Sequence, residues 1–293
     1  MSENQRRAVC CRRQKLTIFS WEDITSGRFA EKLRENGFSC SAIATGGFDG
    51  LHRGHRAIIE SVVAFRNAHP GTAAGAVTFR HPPKASLGAP SYSGDLSTVR
   101  LKIDTFAEWG LDFAVVIDFS DDFSKIKGKD FLSILKDSCS MQFAAAGSDF
   151  RCGYKLDTGV AEMAAYAAQN GFAFVVVDDV LFEGGRISSS AIRKCVFDGS
   201  VDEASRLLGH PYTVDCKDAI LQARNAESGS LLIARGSLTQ VLPAEGEYSV
   251  FAQTADSERF ESVLFAESQF LRLDIPPEHK ISVLDRIDFK QKI

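Results

Sequence analysis

The sequence predicts an α/β domain built on a parallel sheet, with a small all-β domain after it. Three observations carry that prediction. Short continuous apolar runs, such as TAAGAVTF at Thr72–Phe79 and FAVVI at Phe113–Ile117, alternate with helical segments as far as about Gly209. Such runs belong to strands buried on both faces, which parallel sheets supply. The run ending at Thr45 passes through a glycine-rich turn into a helix, the order of a parallel unit. Beyond about Tyr212 the texture changes to short β-like runs, LLIA, YSVFA and KISVLD, divided by polar turns.

The elements follow in order. Met1–Lys15 is polar and basic and reads as a loose leader, Leu16–Ser20 as a short strand, and Glu31–Gly37 as a helical end. The first core strand is Ala42–Thr45, and its helix runs to about Ala68, where Pro70 and Gly71 stop it. Thr72–Phe79 is the second strand, and HPP at His81–Pro83 opens an irregular loop reaching Asp95. A helix over Thr98–Trp109 ends at Gly110 and leads into the strand Phe113–Ile117. A helix over Lys129–Lys136 precedes the strand Phe143–Gly147. Another over Val160–Gln169 ends at Gly171 and precedes a fifth strand, Phe172–Val177. ISSSAIRKCVFDG and VDEASRLLGHPYTV read as two short helices. The resulting division is 1–40 leader and first short elements, 41–213 ligand-binding α/β domain, and 214–293 small β-rich domain.

A chain of 293 residues buries two modest cores more readily than one. Lys+Arg number 34 and Asp+Glu 38, a formal net charge of −4 with no long basic run. That balance argues against sequence-independent nucleic-acid binding, so any affinity for phosphate must be a local arrangement. The seven cysteines form no CxxC pair, which suggests neither a disulfide framework nor a zinc site and fits a reducing compartment. No apolar run approaches the roughly 18 residues of a membrane span. The expectation is a soluble cytoplasmic protein.

Local phosphate chemistry is what the stretch Ala42–Glu60, AIATGGFDGLHRGHRAIIE, offers. Its turn through Gly46, Gly47, Phe48, Asp49 and Gly50 places free backbone N–H groups beside a positive helix end. His52 and His55 lie three residues apart on one face at the head of that helix, and Gly54 lets a ligand approach the backbone. Two imidazoles beside free N–H donors suit a triphosphate better than a neutral ligand. A second constellation is Ile187–Arg193, ISSSAIR. Ser188, Ser189 and Ser190 serve either as ordinary N-caps or as a phosphate cradle to which Arg193 adds a planar charged fork. A third is GSDFRCG, Gly147–Gly153, which as a string alone is an ordinary turn at a strand end.

GGFDGLHRGH resembles the HxGH signature of the nucleotidyltransferase superfamily. More narrowly, it resembles the adenylyltransferase module of bacterial bifunctional riboflavin kinase/FAD synthetases. The resemblance spans about residues 41–213 and includes ISSSAIR, with Ser190 where threonine is usual. It includes GSDFRCG, where Asp149 and Phe150 match and Cys152 replaces the family's second aromatic. It also includes TFRHPP, where Thr78, Phe79 and Pro83 align. Arg80 there stands where an acid is common, and it either attracts a flavin phosphate or covers the loop surface. FSDDF, from Phe119 and Ser120 to Phe123, and LLGHPY match as packing features. After Tyr212 the family's kinase string, Gly-x-Pro-Thr-Ala-Asn, does not occur, and LPAEGEYSVFA only faintly resembles a later strand of that barrel.

The resemblance implies a Rossmann-like transferase domain followed by a barrel-like, degenerate kinase domain. It implies transfer of AMP from ATP to FMN, with FAD and pyrophosphate as products and Mg²⁺ carried mainly on the ATP phosphates. His52, His55 and Arg193 would be catalytic. ATP would lie against Gly46–Gly50, His52, Gly54, His55, Ser188–Ser190 and Arg193, and the flavin against Thr78, Phe79, Asp149 and Phe150. Two alternatives stay open: an HxGH transferase with another phosphate acceptor, and a flavin-nucleotide sensor without turnover.

Overall fold

The computed structural model describes residues 16–81, 93–119, 122–225, 229–277, 279 and 283–293. The leader, Pro82 and Pro83 of TFRHPP, Ser120 and Asp121 of FSDDF, and Lys280, Ile281 and Ser282 of KISVLD lie outside these residues.

Six strands, β1 (Thr17–Phe19), β2 (Cys40–Thr45), β3 (Thr72–Phe79), β4 (Phe113–Ile117), β5 (Met141–Gly147) and β6 (Ala173–Val177), form one sheet. Their order is β1-β4-β3-β2-β5-β6, and every pairing is parallel. Among the described residues eight α-helices follow in chain order: α1 (Trp21–Thr25), α2 (Arg28–Glu35), α3 (Arg53–Ala68), α4 (Val99–Glu108), α5 (Gly128–Ser138), α6 (Val160–Asn170), α7 (Ser189–Phe197) and α8 (Val201–Leu208). One face of the sheet packs Phe19, Phe113 and Ile117 against Phe29, Leu33, Phe131 and Met163 of α2, α5 and α6. The other packs Ala44, Ala76 and Ala114 against Ile59, Val62 and Phe106 of α3 and α4. The small residues on this second face let the helices approach closely. Gly75 shows the same pressure from within the sheet, since a Cβ there would lie 2.3 Å from the Phe113 ring.

The expected cover on both faces ends at the edge. β6 pairs on one side only, and Val175 and Val176 are 40% and 38% exposed. The chain steps outward from β2 to β3 and β4 on one side and to β5 and β6 on the other. The switch point therefore lies between β2 and β5, where a crevice opens at the carboxyl ends of the strands.

The second sheet is antiparallel and forms a curled half-barrel. It comprises β7 (Tyr212–Asp215), β8 (Leu221–Asn225), β9 (Ser230–Ala234), β10 (Gly246–Thr254), β11 (Arg259–Ala266), β12 (Phe270–Asp274) and β13 (Leu284–Lys292). The strand order is β7-β13-β10-β11-β12-β9-β8. Its inner face is filled by Tyr248, Val250, Leu264, Leu271, Ile287 and Phe289. The same cluster takes in Ile192 and Val196 of α7 and Val201, Ala204 and Leu208 of α8. The two helices that follow the parallel sheet thus share their core with the antiparallel one. Among the described residues no helix is long and apolar enough to cross a membrane.

Candidate active site

The site is built where β2 meets α3. After Thr45 the chain turns tightly, with Phe48, Gly50 and Leu51 at φ 48°, 83° and 47°. Gly50 is also hemmed in: a Cβ there would come within 2.8 Å of Leu96 Cδ1, so only glycine serves both the backbone and the space. His52 is the N-cap of α3, and its Nδ1 accepts the backbone N–H of His55 at 3.3 Å. A serine or aspartate usually does this. An accepting Nδ1 leaves the proton of a neutral ring on Nε2. The two imidazoles stack with centroids 3.7 Å apart and planes 16° from parallel, and Phe48 meets His55 edge-on at 5.2 Å. Burial, aided by the Arg186 charge, pushes His52 down to about 4. Burial also holds His55 well below the usual range, with the His52 and Lys102 charges acting the same way. Both rings are neutral near pH 7. His55 Nδ1 and Thr45 Oγ1 are buried without a hydrogen-bond partner, and both residues line the crevice. Unpartnered polar atoms at the edge of a cavity are ready to meet a polar ligand.

The crevice is a cavity of about 250 Å³. It is lined by Gly46, Gly47, His52, Gly54 and His55 around the start of α3, by Ser188, Ser189 and Ser190 at the start of α7, and by Gly147, Asp149 and Phe150 at and just after the end of β5. Ser188 caps α7, accepting the Ala191 N–H at 3.2 Å, while Ser189 donates to the Asp49 carbonyl at 2.8 Å. The N-termini of α3 and α7 therefore converge on one space, where their free N–H groups and dipoles favour an anion. A larger cavity, about 590 Å³, lies across the turn between α3, α4 and Leu208–Thr213. Neither His52 nor His55 and none of the three serines lines it; all five gather at the smaller cleft.

Charge is arranged in two tiers. In the cleft stands Arg186, on a short hairpin in which Leu181–Phe182 pairs with Gly185–Arg186. Its Nη2 meets Asp149 Oδ2 at 2.6 Å and its Nε meets Asp179 Oδ1 at 3.1 Å. Asp179 also accepts the Ser148 hydroxyl at 2.8 Å. Behind the turn, Arg193 pairs with Asp49 and donates Nε to the Gly94 carbonyl at 3.1 Å. Asp49 Oδ1 accepts the N–H groups of Leu96 and Ser97 at 2.8 and 3.1 Å. Burial pushes the Asp49 carboxyl up, against the pull of the Lys102 and Arg193 charges. Lys102 is fully buried and donates to the carbonyls of Gly47 at 3.0 Å and Phe79 at 3.1 Å. Burial draws its ammonium pKa down, opposed by Asp49 and Asp95.

The structure brings Gly46, Gly47, His52, Gly54, His55, Asp149, Phe150 and the three serines together around the cleft. Phe48, Asp49, Gly50 and Arg193 shape the turn from behind and do not line it. Thr78 does not line it either, donating its hydroxyl to the Gly47 carbonyl at 3.0 Å. Phe79 joins an aromatic group with Phe119 and Phe123 at 5.9 and 6.0 Å. Arg80 pairs with Asp118 at 2.5 Å. Sequence reading passed over Arg186, Asp179, Thr45 and Lys102. The first had a signal in EGGRISSS, where two glycines turn an arginine back toward the serines. Lys102 had none, because a lysine within a helical segment reads as a solvent-facing residue.

The FAD synthetase family model matches residues 36–191. A bifunctional riboflavin kinase/FMN adenylyltransferase of Buchnera aphidicola is 27% identical over 178 residues, which are 60% of this chain and 57% of that protein. The Escherichia coli K12 protein of the same description is 26% identical over 213 residues, 71% of this chain and 66% of that one. The chain thus spans no more than about two thirds of these curated relatives. A solved structure described as a macrolide-efflux protein from Streptococcus pneumoniae superposes with a TM-score of 0.76 at 18% identity. The match covers 95% of this chain and 100% of that one, a likeness of fold through both sheets.

Proposed function

This chain belongs to the FAD synthetase family, and on that premise we propose that it transfers the adenylyl group of ATP to FMN, releasing pyrophosphate, and has no riboflavin kinase activity. One observation carries the reading. Two stacked, neutral histidines and the N-termini of two helices converge on a single cleft at the switch point of the sheet. An oxygen of the FMN phosphate attacks the α-phosphorus of ATP, a new P–O bond forms, the α–β bridging bond breaks, and pyrophosphate leaves with its electron pair. A phosphate is already a nucleophile, so no covalent protein intermediate is needed, and catalysis is positioning and charge stabilisation.

His52 and His55, as neutral donors, hydrogen-bond to the α-phosphate region as charge builds on it. Ser188–Ser190 and the α7 N-terminus hold the β- and γ-phosphates, and Arg186 is the cation in reach. Arg193 acts one step back, holding Asp49 and the turn. Phe150 and Asp149 lie at the flavin end of the cleft. The carboxylates of Asp149 and Asp179 are occupied by Arg186. Among the described residues no group of three or more His, Cys, Asp or Glu is placed to cage a metal. The ATP phosphates would therefore carry Mg²⁺, which supplies charge neutralisation there. We assign the transfer to residues 41–213 of a soluble cytoplasmic protein. The absence of Gly-x-Pro-Thr-Ala-Asn after Tyr212 and the filled inner face of the second sheet support a lost kinase.

The test is a product assay with purified protein, Mg²⁺ and ATP, with FMN and riboflavin offered separately. The expected result is FAD and pyrophosphate from FMN, and no FMN from riboflavin. FMN formed from riboflavin would overturn the monofunctional reading. Tight FMN binding without product would replace the enzyme with a sensor.

A further inference from the structure

The β-rich domain reaches the catalytic turn through one side chain. Gln240 is 5% exposed and sits where three segments meet. Its Nε2 donates to the carbonyls of Leu96 at 2.9 Å and Thr213 at 2.8 Å, while its Oε1 accepts the Asp215 N–H at 2.7 Å. Two acceptors facing one end of the amide and a donor facing the other allow a single orientation. Around it, Asp95 bridges to the same strand-like segment. Its N–H donates to the Thr239 carbonyl at 3.1 Å and its carbonyl accepts the Val241 N–H at 2.8 Å. The approach is so close that a Cβ on Gly94, at φ 122°, would lie 2.8 Å from the Val241 nitrogen.

The two residues next along, Leu96 and Ser97, present their N–H groups to Asp49 in the middle of GGFDG. Asp49 in turn holds Arg193, and its carbonyl holds Ser189. A chain of hydrogen bonds thus runs from Gln240 through the 94–97 segment to Asp49 in the turn before α3, and from the Asp49 carbonyl to Ser189 in the cleft. Among its members, only Ser189 lines the cleft.

We infer that the β-rich domain is a working part of the nucleotide site, and that Gln240 is a positioning residue that sets the HRGH turn and the serine wall against each other. This gives the domain a task that needs no kinase chemistry. The inference rests on the transferase reading only for where the reaction occurs; nucleotide binding tests it separately.

The experiment compares wild type with Gln240→Met, which keeps the volume and removes all three hydrogen bonds, and Gly94→Ala, which strains the junction from the other side. Three quantities are read: Mg·ATP affinity by calorimetry, turnover with FMN, and hydrogen exchange at individual amides. Both variants should bind Mg·ATP at least tenfold more weakly. Exchange should quicken at the Leu96 and Ser97 amides, which face Asp49, while β10 and β11 stay protected. Gln240→Asn, which retains an amide, should recover part of the affinity in the same assay. Loosened amides at 96 and 97 with unchanged Mg·ATP affinity would overturn the inference, as would unchanged exchange there in both variants. Protection lost throughout β10 and β11 would assign Gln240 to folding alone and also overturn it. A wild type that binds Mg·ATP yet makes no FAD defeats the transferase reading and leaves this comparison intact.

Discussion

Nδ1 of His52 accepts the backbone N–H of His55 at 3.3 Å while the two rings stack at 3.7 Å, so the first histidine of HRGH is both helix cap and cleft wall. The arrangement suits neutral rings: protonating Nδ1 would break the cap and bury a cation against the stacked ring of His55.

Stability should therefore depend on acid in a particular window. His52 is held at about 4 in the fold against an ordinary 6.5. Between those values the unfolded chain binds the extra proton, so stability is full above about pH 6.5 and falls as the pH drops toward 4. The gap corresponds to roughly 3 kcal/mol at 1.36 kcal/mol per pH unit. Urea midpoints at pH 7.5, 6 and 5 should fall more steeply for wild type than for His52→Asn. Parallel lines would refute the account.

His55 offers the more direct test of catalysis. His55→Ala should keep the fold and lose on the order of 10²–10³ in turnover with FMN, as removal of a well-placed donor does. Near wild-type turnover would sink the assigned role.

The two arginines should fail differently. Arg186 faces the cleft at 42% side-chain exposure, and Arg186→Gln should raise the KM for ATP about tenfold or more, as loss of a charged hydrogen bond does, with little change in melting temperature. Arg193 is bound to Asp49, whose side chain is 7% exposed. Arg193→Met leaves that carboxylate buried and unpaired, at a cost of about 3–5 kcal/mol. Denaturant unfolding separates them; an Arg193→Met protein as stable as wild type would mean that Arg193 does not hold Asp49.

Gly75 predicts a purely structural effect. Gly75→Ala places a methyl against the Phe113 ring and should cost about 1–3 kcal/mol in denaturant midpoint with an unchanged slope. No loss would mean that the ring has room to move.

Much of this architecture was legible where the physics is local. Thr72–Phe79 and Phe113–Ile117 are strands over the bounds their apolar runs announce, because a strand buried on both faces must be apolar throughout. The glycine turn and the serine caps declare themselves through backbone requirements. The sequence singles out Arg193 but not the way it faces. Its partner Asp49 lies 144 residues away, and nothing in ISSSAIR says that the guanidinium turns to a carboxylate behind the cleft. Lys102 and Gln240 were silent for the same reason: each is satisfied by backbone carbonyls from distant segments, and carbonyls carry no sequence signature. Trp21–Thr25 passed unnoticed although Ser20 and Asp23 form a capping box, since a five-residue helix has too few turns for a period.

The shared core of α7, α8 and the antiparallel sheet has a consequence in time. Strand β13 pairs with both β7 and β10, and Phe289 belongs to the cluster that seats Ile192 and Val196. On a ribosome adding about 5–20 residues per second, the parallel sheet is complete and free to fold while that cluster still lacks its far side. The 99 residues added after Ser190 up to Phe289 take roughly 5–20 s to make at that rate. Throughout that interval the nascent chain carries its histidines on a formed sheet, beside serines whose helix still lacks most of its apolar packing. The proposed nucleotide site is therefore among the last parts of the molecule to be completed.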